Sequence, residues 1–103
     1  MKLVRDRIPE IMRNAGLDPN ISVGKGKHYS FLLYSKMVEE LGEFIDNPSP
    51  EEAADIYEVF VTLIRQHGLS FLDVATIANE KREKRGGFEE GFVLHGVHNE
   101  GSD

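Results

Sequence analysis

Apolar residues recur at helical spacing along most of this chain, and the pattern predicts four helices. Segments 28–46 and 50–66 carry the clearest periodicity, and the sequence Asn47-Pro48-Ser49-Pro50 predicts a turn between them. The apolar arc of the second segment covers about half of the helix circumference, wider than a surface helix usually shows. A short helix that ends near Gly16 and a further helix over 70–85 complete the predicted elements.

These elements predict an all-α fold, namely a small antiparallel helical bundle that is completed by oligomerisation. A chain of 103 residues with 40% apolar residues forms one small domain, and its core is limited. A second subunit against the wide apolar arc of 50–66 extends that core. We expect the domain to cover residues 1–94 and residues 95–103 to form a frayed tail.

Composition excludes several classes of function. The net charge of -6 argues against a general nucleic-acid binder. No apolar stretch reaches the roughly 18 residues of a membrane span, so no membrane association is expected. The chain has no cysteine, which excludes disulfides and zinc–thiolate sites. Its first residues lack the apolar core of a signal peptide, and a cytoplasmic location is expected.

Two acidic pairs, Glu40 with Glu43 and Glu52 with Asp55, indicate candidate chemistry. A spacing of three places both carboxylates of a pair on one face of a helix. Two such helices packed antiparallel bring four carboxylates together, and their mutual repulsion requires a cation. Ligation by oxygen alone favours Mg²⁺, or Mn²⁺, over zinc. Magnesium accepts phosphate oxygens as further ligands, so the pattern predicts a nucleotide polyphosphate as substrate.

A simpler interpretation treats these acids as solvated helix residues. Glu52 also fits a capping box, since it stands three residues after Ser49. Asp55 fits less well, because aspartate is a poor residue for a helix interior. It shares a stripe with Ile56 and Val59, where an unpaired charge is costly.

Three blocks of the sequence carry a resemblance to a known family. They are EELGE from Glu39 to Glu43, EAAD from Glu52 to Asp55, and Ala78-Asn79 with Lys81 followed by Arg85. In this order the blocks resemble those of the all-α nucleoside triphosphate pyrophosphohydrolases of MazG type. The same superfamily includes phosphoribosyl-ATP pyrophosphatases and dimeric dUTPases. The opening KLVRDRIPEI and the segment RGGFEEGFVL are similar to a short subgroup of these proteins.

The resemblance implies a helical homodimer or homotetramer that hydrolyses a nucleoside triphosphate with Mg²⁺. Cleavage between the α- and β-phosphates yields a nucleoside monophosphate and pyrophosphate, and the role is removal of unwanted nucleotides. By position, the metal ligands are Glu40, Glu43, Glu52 and Asp55, and the catalytic residues are Glu39 and Glu40, with Glu39 orienting a water or acting as a base. The substrate-binding residues are Asn79, Lys81, Arg85, Lys36 and Arg5.

Two other functions stay open at this point. The EAAD–Tyr57 region is also compatible with the phosphoribosyl-ATP pyrophosphatase reaction of histidine synthesis. A non-catalytic helical dimerisation or regulatory module with the same fold is the alternative from a different class. Lys81 and Arg85, four residues apart, suit a leaving pyrophosphate, yet a solvated basic helix end has the same pattern.

Overall fold

The computed structural model describes residues 2–98, and within them all regular structure is helical. The predicted all-α class is therefore confirmed. Two compact units divide the chain, Met1–Phe71 and Leu72–Asp103, here called the first and second units. The helices are α1 (Ile8–Asn14), α2 (Gly26–Asp46), α3 (Pro50–Gln66) and α4 (Phe71–Arg85).

Helices α2 and α3 form an antiparallel hairpin, the main packing of the first unit. Near one end of the hairpin, the Tyr34 hydroxyl lies 2.8 Å from Nε2 of His67, just after α3. Towards the other end, Glu40 of α2 lies beside Glu52 in the first turn of α3. The core between the helices is small, because only four apolar side chains of the described residues are buried: Leu33, Val59, Val61 and Ile64.

The start of α3 follows from its first residues. Ser49 has extended backbone, and its hydroxyl accepts a hydrogen bond of 3.2 Å from the Glu52 backbone N–H. Pro50 takes the first helical position, where its missing N–H costs nothing. The helix therefore begins at the predicted residue, and its predicted end at residue 66 is also confirmed.

Glycines end α1 and α3 by the same hydrogen-bonding motif. Gly16 and Gly68 both have positive φ, at 83° and 71°. The next residue in each case donates its N–H to a carbonyl five residues earlier, as Leu69 does to Ile64 at 3.0 Å. This is the Schellman motif, which satisfies carbonyls at a helix end. Side chains other than glycine are strained at such φ values, so the sequence pattern located both ends.

The second unit contains most of α4 and the segment that follows it. Gly86, at φ 80°, ends α4, and Arg82 then pairs with Glu89 at 2.7 Å. The hydrogen bond from Arg82 lowers the pKa of the Glu89 carboxyl below its usual range. Residues 91–98 have neither helix nor strand. Of the predicted frayed tail, residues 95–98 belong to this segment, and 99–103 lie outside the described residues.

A stripe of exposed apolar side chains follows α2. Its members recur with alternating spacings of three and four, as in a helix that packs along another helix. The α2 stripe consists of Phe31, Tyr34, Val38, Leu41 and Ile45.

Within residues 2–98, no helix combines the length and the apolar character that crossing a bilayer requires.

The cap of α3 generates a stability prediction. Ser49→Ala removes the acceptor of the Glu52 N–H, and we expect a loss of about 1 kcal/mol in the free energy of unfolding. Ser35→Ala is the matched control, because Ser35 is exposed inside α2, where alanine is the better helix former. Urea denaturation measures both variants. Equal stability of the two variants would contradict the cap assignment.

Candidate metal centre

Three carboxylates from two helices converge at one end of the hairpin. Glu40, Glu52 and Asp55 each offer an oxygen atom, and these atoms all lie within 4.8 Å of one another. We call this group the acid cluster. Glu40 comes from the second half of α2, whereas Glu52 and Asp55 come from the first turns of α3. The antiparallel hairpin and the fixed start of α3 together bring these residues to the same place.

Glu40 is the one buried charged residue in the described part of the chain, with 8% of its surface exposed. Its carboxylate lies 3.2 Å from Nζ of Lys36, one helical turn earlier on α2. The Lys36 side chain is itself mostly covered, so both charges of this pair are removed from water. Loss of one partner of such a pair leaves an uncompensated buried charge, which is strongly destabilising. Lys36 is thus the local counter-ion of Glu40.

Arg5 supplies a second cation to the acid cluster. Its Nη2 lies 2.5 Å from Oδ1 of Asp55, across fifty positions of sequence. Both side chains are substantially exposed, so the pair adds little to stability. Its consequence is positional, because it places the segment before α1 beside α3. The cations Lys36 and Arg5 thus supply part of the charge compensation that the sequence argument assigned to a metal ion.

Within residues 2–98, no lysine, arginine or histidine forms an ion pair with Glu52, in contrast to Glu40 and Asp55. Partial burial raises the pKa of the Glu52 carboxyl above its usual range. The negative charges of Asp55, Glu43 and Glu40 raise this pKa further. The acid cluster therefore keeps an uncompensated negative charge at Glu52, the position where an added cation gains most.

The other two acids of the EELGE block have different surroundings. Glu43 is exposed and is not one of the three clustered carboxylates, although its charge acts on Glu52. Glu39 lies 3.3 Å from Lys2 and 3.4 Å from Lys36. Partial desolvation raises the pKa of Glu39, but the hydrogen bond from Lys2 and the charge of Lys36 outweigh it and lower the pKa overall. Glu39 therefore stays ionised at neutral pH.

The remaining predicted site residues lie on α4. Asn79, Lys81 and Arg85 are exposed there and belong to the second unit. Of the predicted substrate-binding residues, the structure brings Arg5 and Lys36 to the acid cluster. Both cations form ion pairs with clustered carboxylates, Arg5 with Asp55 and Lys36 with Glu40.

Sequence analysis missed several residues beside these cations. Glu58 and Thr62 line a cavity together with Arg5 and Lys36. A signal for them exists, since they follow Asp55 by three and seven residues and so share its face of α3. Neither residue belongs to the two acidic pairs or to the three sequence blocks, which is why the motif analysis did not select them.

The donor set of the acid cluster fits a small hard cation. Magnesium binds oxygen at about 2.0–2.1 Å, so two oxygens on one ion lie at most about 4.2 Å apart. Three oxygens on one octahedral ion include adjacent pairs about 3 Å apart, so the three carboxylates have to move closer together to share an ion. Carboxylates without nitrogen or sulfur donors favour hard divalent cations, such as Mg²⁺, Mn²⁺ and Ca²⁺, over softer metals.

Comparisons with known proteins do not assign a family. No protein-family model matches the chain, and no match was found to a curated protein or to a solved structure. The resemblance to the MazG-type family therefore stays a prediction, and the functional argument depends on the geometry of the chain's own residues.

The charge imbalance at Glu52 generates a pH prediction. Because its pKa is raised in the folded chain, ionisation of Glu52 opposes folding, and stability falls as pH rises through that pKa. In metal-free buffer at pH 7, Glu52→Gln should therefore melt at a higher temperature than the wild type. The gain should vanish below the ordinary glutamate pKa of 4.5.

Glu51→Gln is the control for this experiment. Glu51 also lies in the first turn of α3 but is exposed, so its loss removes a similar favourable interaction with the helix dipole. Thermal melts in a chelator at pH 7 and pH 4 compare the variants. A melting temperature of Glu52→Gln at or below that of Glu51→Gln at pH 7 would contradict the charge assignment.

Proposed function

We propose that this protein hydrolyses a nucleoside triphosphate to a nucleoside monophosphate and pyrophosphate with the help of Mg²⁺. The observation that carries the proposal is the convergence of Glu40, Glu52 and Asp55 from two helices onto oxygen positions within 4.8 Å. Such a group suits a divalent cation, and phosphate oxygens are the usual further ligands of magnesium in proteins. Removal of unwanted nucleotides is the proposed physiological role.

Arg5 and Lys36 explain how an acidic protein can receive a polyphosphate. Together they carry the same charge as one divalent cation, so Mg²⁺ can replace them beside the carboxylates without raising the local negative charge. Each cation then becomes free to pair with a phosphate oxygen. Exchange of partners in this way makes Arg5 and Lys36 substrate-binding residues whose availability depends on the metal.

The reaction itself requires a water molecule and a leaving pyrophosphate. The water oxygen forms a bond to the α-phosphorus, the bond from that phosphorus to the α–β bridging oxygen breaks, pyrophosphate departs with that oxygen, and the proton lost by the water passes to the solvent. When bound, Mg²⁺ offsets charge on the phosphate oxygens and lowers the pKa of a coordinated water. Glu39, held ionised by Lys2 and Lys36, accepts a hydrogen bond from the water and orients it.

Association of two or more copies through the α2 stripe is part of the proposal. The stripe has the alternating spacing of residues that pack between helices, and Val38 within it is 71% exposed. Tyr57 and Phe60 of α3 are exposed as well. With only four buried apolar side chains among the described residues, the first unit gains core by covering this surface.

A second candidate function is a non-catalytic helical interaction module. The ion pairs of Glu40 with Lys36 and of Asp55 with Arg5 favour it, because they compensate two of the three clustered carboxylates without any bound ion. The two candidates differ in whether a divalent cation binds the acid cluster.

Metal dependence and the role of Asp55 are tested together. Mg²⁺ binds the folded chain preferentially, so millimolar Mg²⁺ should raise the melting temperature of the wild type. Nucleoside triphosphates with Mg²⁺ should yield pyrophosphate, and Asp55→Asn should reduce the rate by at least about a hundredfold, the range seen when a group essential to the chemistry is lost. A pyrophosphate assay over a nucleotide panel provides the measurement.

Asp46→Asn is the matched control, because Asp46 is exposed at the end of α2 and outside the acid cluster. It should retain the activity and the response to Mg²⁺. Unchanged pyrophosphate release in Asp55→Asn would refute the role of that residue. Absence of both metal stabilisation and turnover in the wild type would favour the interaction module.

The α2 stripe generates a prediction on oligomeric state. Solution scattering of the wild type should give the mass of at least two chains, whereas Val38→Lys should give the mass of one, because a buried lysine charge is costly. Ser35→Lys places the same charge at an exposed position of α2 outside the stripe and should keep the wild-type mass. A single-chain mass for the wild type at assay concentration would overturn this part of the proposal.

A further inference from the structure

A cavity of about 310 Å³ lies within the first unit, between the segment before α1 and the α2–α3 hairpin. We call it the α2–α3 cavity. Its volume is at the lower end of the roughly 300–1,000 Å³ that small-molecule sites occupy. It therefore suits one part of a nucleotide rather than a whole nucleoside triphosphate.

The α2–α3 cavity shares two of its walls with the acid cluster. Arg5 and Lys36 both line it, and each also contacts a clustered carboxylate, Asp55 at 2.5 Å and Glu40 at 3.2 Å. A molecule in the cavity therefore touches the same two cations that face the candidate metal position. Because Arg5 and Lys36 border both the cavity and the acid cluster, we treat the two as adjacent parts of one site.

The lining of the cavity differs in chemistry from the acid cluster. Leu33 and Val59 provide buried apolar surface, and Tyr29 provides an aromatic ring. The acidic residues Asp6 and Glu58 also line it. These acids repel a phosphate chain but can accept hydrogen bonds from amino and hydroxyl groups. Apolar surface, an aromatic ring and acceptors together are the features that bind a base and a sugar.

A neighbouring cavity of about 580 Å³ is a weaker candidate for the same ligand. It shares Arg5, Asp6 and Tyr29 with the α2–α3 cavity. Its lining lacks Lys36 and every residue of α3, and includes instead the loop over 20–24. It is thus connected to the acid cluster by one cation rather than two.

We propose that the α2–α3 cavity binds the nucleoside end of the substrate while the phosphates lie at the acid cluster. This inference rests on the proposed pyrophosphohydrolase function and adds to it the place where the nucleoside of the substrate binds. The triphosphate chain extends from the cavity past Arg5 and Lys36 towards the carboxylates. Thr62, on the same face of α3 as Asp55, becomes a specificity-determining residue.

Thr62 is suited to a test because its replacement should preserve the helix. It lines the α2–α3 cavity, and its hydroxyl donates to the Glu58 carbonyl within the same helix at 2.9 Å. Leucine is the better helix former, so Thr62→Leu should fold, and its larger side chain takes up space in the cavity. Thermal melting checks that the variant is folded.

The experiment compares two ligands in one assay. We measure KM and kcat for the four common ribonucleoside triphosphates with Mg²⁺, and the inhibition constant of inorganic tripolyphosphate against the best of them. Thr62→Leu should raise KM by about tenfold or more, the effect of a steric mismatch in a small pocket. The tripolyphosphate inhibition constant should stay within about twofold, since this ligand lacks a nucleoside.

Ser22→Leu is the matched control, because Ser22 lines the neighbouring cavity and not the α2–α3 cavity. It should leave both constants close to those of the wild type. Three results would overturn the inference while the enzyme remains active: no change in KM for Thr62→Leu, equal changes for both ligands, or the selective effect in Ser22→Leu. Lack of turnover of every nucleotide by the wild type would instead remove the proposed function and, with it, the inference.

Discussion

Repulsion between carboxylates in one small volume is the constraint on which the site depends. The α2–α3 hairpin brings Glu40, Glu52 and Asp55 together, and the apolar contacts between the helices cannot offset the negative charge of these carboxylates. The chain responds with Lys36 from the same helix as Glu40 and with Arg5 from the segment before α1. Because these two cations leave Glu52 uncompensated, the acid cluster is only partly neutralised and is receptive to a further cation.

This balance also gives the first residues of the chain a role. Of residues 2–7, all but Leu3 are exposed, and the ion pairs of Lys2 with Glu39 and of Arg5 with Asp55 link this segment to the hairpin. Both pairs are exposed enough to be weak individually. A segment held by exchangeable ion pairs can follow a change of charge in the site, such as arrival of a metal or of a polyphosphate.

The small core has a consequence for the molecule as a whole. Four buried apolar side chains provide limited stability, while the α2 stripe keeps five apolar side chains in water. A strongly acidic site adds further cost at neutral pH. A second copy packed on the α2 stripe would remove apolar surface from water, and a cation in the acid cluster would offset the repulsion between carboxylates. The two effects act on different parts of the hairpin and can therefore stabilise it independently.

The sequence by itself determined the helices. Helical periodicity located α2 and α3, while Ser49-Pro50 marked the start of α3, and Gly16 and Gly68 marked the ends of α1 and α3, because caps and positive φ are local properties. The pairing of Glu52 with Asp55 also followed from spacing within one helix. Only the tertiary structure decided that Glu40 is buried and Glu43 exposed, that Arg5 reaches Asp55, and that Thr62 lines a cavity. Those facts depend on the rotation of one helix against another and on contacts across fifty positions, which no local pattern encodes.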